Sequence, residues 1–238
     1  MKLTAIASAV AIAGMMLPAS SLAADSRTFS LDVPAKEIRR LELDANVGQV
    51  EITAADIDVI EIRVELEPDD DDWFGSSERL KARLEAAELR HDVSRGVLGL
   101  ELKYENPRGG DNDLEERWEI RLPAGIALDT ELNVGSMHIE GMSAGVEAEV
   151  NVGELDIDVL GGDIDAQVNV GEVGIHTATG TPGEFDLESN IGDVQLRIDG
   201  KSVGRSDGWL GKSLTHQAGG DDDVRARVNV GEVRVEVR

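Results

Sequence analysis

Cysteine is missing from all 238 residues, which excludes a disulfide staple and a thiolate metal site. Aromatic residues make up only 3% of the chain, and this scarcity points to a thin interior. Apart from one run near the start, no apolar stretch approaches the roughly 20 residues of a membrane-spanning helix. Basic residues are scarce too: 23 Lys and Arg against 48 Asp and Glu give a net charge of −25. Such a field makes nucleic acid and anionic membrane surfaces poor partners. Stability must come from burial and backbone pairing.

The one apolar run, Ala5 to Leu17, follows Lys2 and stops at Pro18, and Ser21 and Ala23 fit a small-x-small cleavage rule. It is too short to span a bilayer, so residues 1–23 read as a signal peptide and 24–238 as one elongated domain. Cleavage removes one of the 23 basic residues and no acid, giving 22 − 48 = −26. No Cys follows the cut, which excludes lipoprotein-type attachment; the expected address is periplasmic or secreted, with no membrane span. Arginines outnumber lysines 17 to 6 and the acids are spread along the chain. High-salt proteins and ordinary acidic exported proteins share that composition.

What is abundant is repetition. The strings Leu132-Asn133-Val134-Gly135, Val150-Asn151-Val152-Gly153, Val168-Asn169-Val170-Gly171 and Ser189-Asn190-Ile191-Gly192 place their asparagines 18, 18 and 21 residues apart. Two more copies, Asn46-Val47-Gly48 and Asn229-Val230-Gly231, lie outside that stretch. Apolar residues fall at every second place before each bend (Ala148, Val150) and resume after it (Leu155, Ile157). The extra residue at the bend turns a corner while keeping apolar groups inside, and Gly suits it because a Cβ resists the φ a corner needs. A fixed period near 20 residues with strand pattern predicts an all-β fold: a single-stranded right-handed β-solenoid of about 18–21-residue coils. The asparagines can form an amide ladder along the corner, or serve local turn chemistry alone.

Two segments interrupt the pattern. Residues 67–95 read as an acidic loop carrying Trp73 and Phe74, then a short helix starting at Ser77 with Leu80, Leu84 and Ala87 on one face. That helix is expected to cover an open end of the column, with Leu89 to Ser94 as a strand turning at Arg95-Gly96. Residues 199–223 read as an irregular projecting loop or hairpin carrying Trp209 and Leu210, after which Val224 to Val237 closes the sheet.

The repeated Asn-Val-Gly-Glu-Val strings, the leading signal peptide, the charged insertion and the Arg121-Leu122-Pro123 before the second set of coils resemble a bacterial adhesin-type family. Its domain is of unknown function and is similar in build to the toast-rack and GIN-type head domains of envelope proteins. The resemblance implies a β-solenoid and provides no catalytic residue. Here one residue separates Asn from Gly, whereas many relatives have them adjacent.

Aligned on their asparagines, the coils put outward residues in rows: Asp129, Glu147, Asp165, Asp186, Arg225; Glu131, Glu149, Gln167, Glu188, Arg227; and Ser136, Glu154, Glu172, Asp193, Glu232. Like charges opposite one another destabilise, and Arg225 and Arg227 suggest a last coil docked by opposite charge. The acidic rows read as a solvated face, with weak Ca²⁺ binding through Glu154, Glu172 and Asp193 as the sharper expectation and no other cofactor. His91, His138, His176 and His216 lack metal-ligand spacing, and acid pairs are too common here to mark a glycosidase. The expectation is therefore no enzyme, but an envelope scaffold or binding module for an unknown protein or glycan. Exposed loop aromatics make Trp73, Phe74, Trp209 and Leu210 the candidate contacts. The alternative, by analogy with toast-rack relatives, is a periplasmic envelope-stress or sensory accessory protein. A polysaccharide-active enzyme is the lesser one. Oligomeric state is open.

Overall fold

Alternation of apolar and polar residues sets nearly every element of the structure, a computed structural model that describes residues 26–68, 77–104, 114–178, 182–206 and 211–238. Residues 1–23 and the candidate contacts Trp73, Phe74, Trp209 and Leu210 lie outside the described residues. Strands β1 (Arg27–Pro34), β2 (Arg40–Ala54) and β3 (Val59–Pro68) come first, then helix α1 (Ser77–Ala86) and the hairpin β4 (Glu88–Ser94) and β5 (Val97–Lys103). After β6 (Leu114–Leu122) come the long strands β7 (Ala127–Met142), β8 (Val146–Val159), β9 (Ile164–Thr177) and β10 (Pro182–Ile198). Strands β11 (Lys201–Ser206), β12 (Lys212–Gln217) and β13 (Asp222–Val237) complete an all-β chain with one α-helix among the described residues.

Six long strands form a parallel ladder in the order β2-β7-β8-β9-β13-β10. Each bends at its Asn-Val-Gly, and the corners are in register: Gly48 pairs Gly135, which pairs Gly153, then Gly171, Gly231 and Gly192. Both arms of every bent strand bury their alternate side chains on the same inner side, as Val146, Ala148 and Val150 before the bend and Leu155, Ile157 and Val159 after it. Thr130 Oγ1 lies 3.2 Å from Met137 Sδ, linking two inner positions on opposite sides of one corner. Burying each such Val, Leu or Ile contributes roughly 1.5–3 kcal/mol, an upper figure for a chain already compact when unfolded.

At both ends the ladder divides into its two arms. Arg40–Asp44 of β2 pair with β5, whereas Gly48–Ala54 pair with β6, beyond which β3 and β1 continue antiparallel. At the far end Glu184–Ser189 of β10 pair with β12 and Val194–Ile198 with β11, both antiparallel. Within the segment expected to project as an irregular loop or hairpin, residues 201–206 and 212–217 thus add one strand to each arm. Helix α1 lies against β3, and the Arg27 guanidinium donates to the carbonyls of Leu84 and Glu85 at its C-terminal end.

One further expectation is corrected. The last strand does not close the sheet at its edge but enters between β9 and β10. Its entry is held by Gly162 N donating to Asp222 and Asp223 N donating to Asp163, each at 2.9 Å, and its exit by Arg238 N on the Thr177 carbonyl at 3.0 Å. Charge on the first arm favours this place. In sequence order Asp165 would face Asp186, and Gln167 would face Glu188. With β13 inserted, Arg225 lies between Asp165 and Asp186, and Arg227 between Gln167 and Glu188. Arg227 also reaches Asp165 at 3.6 Å.

Candidate functional site

The feature that the whole chain builds is the corner column with the two outer faces it sets at an angle. Its glycines have φ between 135° and 146°, a region L side chains avoid. Stacking adds a second demand. A Cβ built on Gly171 would lie 1.7 Å from the Gly153 carbonyl oxygen, and one on Gly231 1.7 Å from that of Gly171. The neighbouring strand's carbonyl occupies the space where a side chain would begin, so the corner can repeat at strand spacing only with glycine.

Beside the glycines runs a line of amides. Asn169 Nδ2 donates to Asn151 Oδ1, Asn229 Nδ2 to Asn169 Oδ1, and Asn190 Nδ2 to Asn229 Oδ1, each at 3.0 Å. Asn133 and Asn46 stand in register with this line, and Asn46 turns instead to Glu116. Because each amide is both donor and acceptor, the chain of bonds can repeat without end. Removing a middle member by Asn169→Ala is expected to cost about 1 kcal/mol, since the ladder is exposed and water replaces part of it. Urea unfolding measures it, and an unchanged midpoint would contradict a stabilising ladder. Between Asn and Gly, Val134, Val152, Val170, Val230 and Ile191 stand 38–48% exposed, forming an apolar ridge along the corner.

The column ends on a buried carboxylate that sequence reasoning missed. Glu116 is 1% exposed. Its Oε2 accepts from Trp118 Nε1 at 2.7 Å and from Asn46 N at 3.4 Å, and its Oε1 from Tyr104 OH at 2.9 Å and Asn46 Nδ2 at 3.4 Å. The signal was present: Glu116 falls in the inward phase of β6 with Leu114, Trp118, Ile120 and Leu122. Burial pushes its carboxyl above the usual range, while the donors from Trp118, Tyr104 and Asn46 pull it back in part. Burial, then the Glu116 charge, pushes the Tyr104 phenol up, so Tyr104 remains a donor.

Glu131, on the outer face of the first arm, is also raised, by burial first and then by the charges of Glu149, Asp44 and Asp129. A carboxyl raised in the folded state binds its proton more tightly there than when unfolded. Its stabilisation is present at low pH and is lost as pH rises through the folded pKa. Both groups therefore favour the fold as pH falls from 7 towards the upper carboxylate range. The melting temperature is expected to rise over that interval, with Glu131→Gln flattening part of the rise. A thermal melt that falls steadily between pH 7 and pH 5 would contradict this.

The outer rows are reordered by the inserted strand. The row after the corner reads Ser136, Glu154, Glu172, Glu232, Asp193, so Glu172 and Asp193 are not neighbours. Arg234 pairs with Glu172 at 3.1 Å and with Glu232, and Lys212 pairs with Asp193. Two of the three carboxylates expected to share Ca²⁺, Glu172 and Asp193, thus already carry basic partners. Among the described residues no three His, Asp or Glu groups stand close enough to hold a metal ion. His138 lies 3.8 Å from Asp156 and 4.0 Å from Glu140, and His176 3.8 Å from Glu236. Among the described residues no helix is long and apolar enough to cross a membrane.

No family model matches the sequence, and no curated protein matches it. Among solved structures, a proposed cell adhesion protein from Clostridium sporogenes is similar in fold, with a TM-score of 0.53 and 15% identity. The match covers 90% of this chain and 100% of that one. A proposed adhesin from Bacteroides fragilis matches at 12% identity and a TM-score of 0.36, over 88% of this chain and 97% of its own. Another from Parabacteroides merdae matches at 8% and 0.30, over 91% and 97%. The first likeness speaks to fold alone, and the other two overlap too loosely to carry an argument.

Proposed function

We propose that this chain is a right-handed β-solenoid that works as a non-catalytic, exported scaffold or binding module of the bacterial envelope, adhesin-like in role. The observation that carries the proposal is the in-register column of six corners. It fixes two outer faces as flat grids of side chains about 4.8 Å apart in one direction, a surface suited to multipoint contact rather than to enclosing a reactant. The fold likeness to a proposed cell adhesion protein supports the same reading. The partner is a protein or glycan of the envelope. Trp73, Phe74, Trp209 and Leu210 are proposed as the anchors.

The test is retention of the mature chain on envelope fragments. The wild type is expected to be retained, and a variant with all four anchors changed to Ala is expected to lose at least tenfold in affinity with an unchanged circular dichroism spectrum. Absence of retention, or turnover of any polysaccharide abolished by a single Asp or Glu substitution, would overturn the proposal.

A further inference from the structure

The outer face of the second arm has a hole in its grid. Across β8, β9, β13 and β10 one outward row reads Asp156, Gly174, Arg234, Gln195, and the next reads Asp158, His176, Glu236, Arg197. Gly174 sits mid-strand without a left-handed φ. A Cβ there would meet only the Asp156 carboxylate, at 2.8 Å, the movable end of a flexible side chain. Neither backbone shape nor packing therefore requires glycine at this place, although glycine weakens a strand. A cavity of about 320 Å³ lies over Gly174, lined by residues of β8, β9, β13 and β10, and the missing side chain leaves bare backbone on part of its floor. Glycine inside a strand is also where a ligand can approach closely.

The lining selects the ligand by exclusion. Glu154, Asp156, Glu172 and Glu236 outnumber Arg197 and Arg234, so an anion is repelled. No three of the described acids and histidines converge on a metal ion. The apolar residues beneath, Leu155, Val173 and Val235, are 0–2% exposed and point inward, so no apolar side chain stands in the hole to anchor a purely apolar ligand. Glu172 already faces Arg234, and Glu236 faces His176 and Arg238, so an organic cation would compete with basic groups in place. A neutral molecule dense in hydroxyls fits best. Arg234 donates from one side of the hole, held by Glu172 at 3.1 Å and by Glu232, and Asp156 accepts from the other. Alternating fixed donors and acceptors around a small hollow suit vicinal hydroxyls, each of which gives one hydrogen bond and takes others.

We propose that the Gly174 notch binds a neutral pyranose unit of a glycan. This rests on the binding-module reading and names its ligand class. A single shallow subsite gives roughly millimolar affinity, and repeated engagement along a polymer would raise it.

The test is saturation-transfer NMR on the full mature chain with methyl glucopyranoside, galactopyranoside and mannopyranoside, with sulfate and spermidine as charged competitors. At least one pyranoside is expected to saturate, to resist both competitors, and to bind at least tenfold more weakly to Gly174→Thr, which sets a branched side chain on the bare floor. Asp156→Ala, which keeps the hole, is expected to weaken it as well. No saturation by any pyranoside, equal saturation of Gly174→Thr, or displacement by sulfate or spermidine overturns the proposal. Equal retention of wild type and Gly174→Thr on envelope fragments, without a pyranoside signal, sinks the notch alone. Retention of neither, with no pyranoside signal, sinks both it and the binding-module reading.

Discussion

Gly171→Ala is expected to lower stability by more than about 4 kcal/mol, a size reserved for changes the structure cannot absorb. Two effects combine in it. The added methyl enters at φ 146°, where a Cβ is strained, and it would stand 1.7 Å from the carbonyl oxygen of Gly153. A side chain could swing away, but a carbonyl inside a ladder cannot, because moving it breaks pairing with the next strand. In a chain of this size about 4 kcal/mol corresponds to a fall in melting temperature of at least about 8 °C. Gly219→Ala is the matched control: φ is 88° but nothing lies within 4 Å of its Cβ position. It is expected to cost about 1 kcal/mol, from backbone strain alone. Urea unfolding of the two variants separates stacking from strain, and equal losses would remove the stacking argument.

Arg225→Glu combined with Arg227→Glu is expected to be the next most damaging change. Each arginine faces a row on both sides: Asp165 and Asp186 for Arg225, Gln167 and Glu188 for Arg227. Reversing them replaces attraction by repulsion across both edges of β13. These side chains are 42–47% exposed, so solvent screens each contact to under about 1 kcal/mol, and the double change sums to roughly 2–4 kcal/mol at low salt. Because the effect is electrostatic, 1 M NaCl, with a screening length of about 3 Å, is expected to restore at least half of it. Arg225→Gln with Arg227→Gln is expected to lose less than half as much. A loss from Glu that salt does not reduce would show that packing, not charge, places the strand.

How much of this was legible depended on whether a residue's role was local. The corners were, because Asn-Val-Gly recurs at a near-constant distance and the apolar phase resumes after each copy. Helix α1 was too, from Ser77 and the spacing of Leu80, Leu84 and Ala87. The place of β13 was not. Its alternation fits a neighbour of β9 as well as one of β10, and the acids that flank Arg225 and Arg227 on the first arm become visible only in space. Residues 201–206 lack large alternating apolar groups, so β11 did not announce itself; it exists because β10 offers an open edge. Glu116 was visible as a charge in the inward phase, but its partners Tyr104 and Asn46 come from distant segments. Gly174 is legible only in space, where it leaves a gap between Asp156 and Arg234.

The central claim is the order of the column: six corners in register, with the last strand fifth in line. The absence of cysteine makes a direct measurement clean. Neighbouring strands stand about 4.8 Å apart, within disulfide reach, whereas strands two steps apart stand at about 10 Å, beyond it. Glu172→Cys with Glu232→Cys is therefore expected to close a disulfide within the folded chain on mild oxidation, as Glu232→Cys with Asp193→Cys also should. Glu172→Cys with Asp193→Cys is expected to remain two free thiols. Rapid closure of that last pair while the first stays open would place β10 directly on β9 and contradict the account.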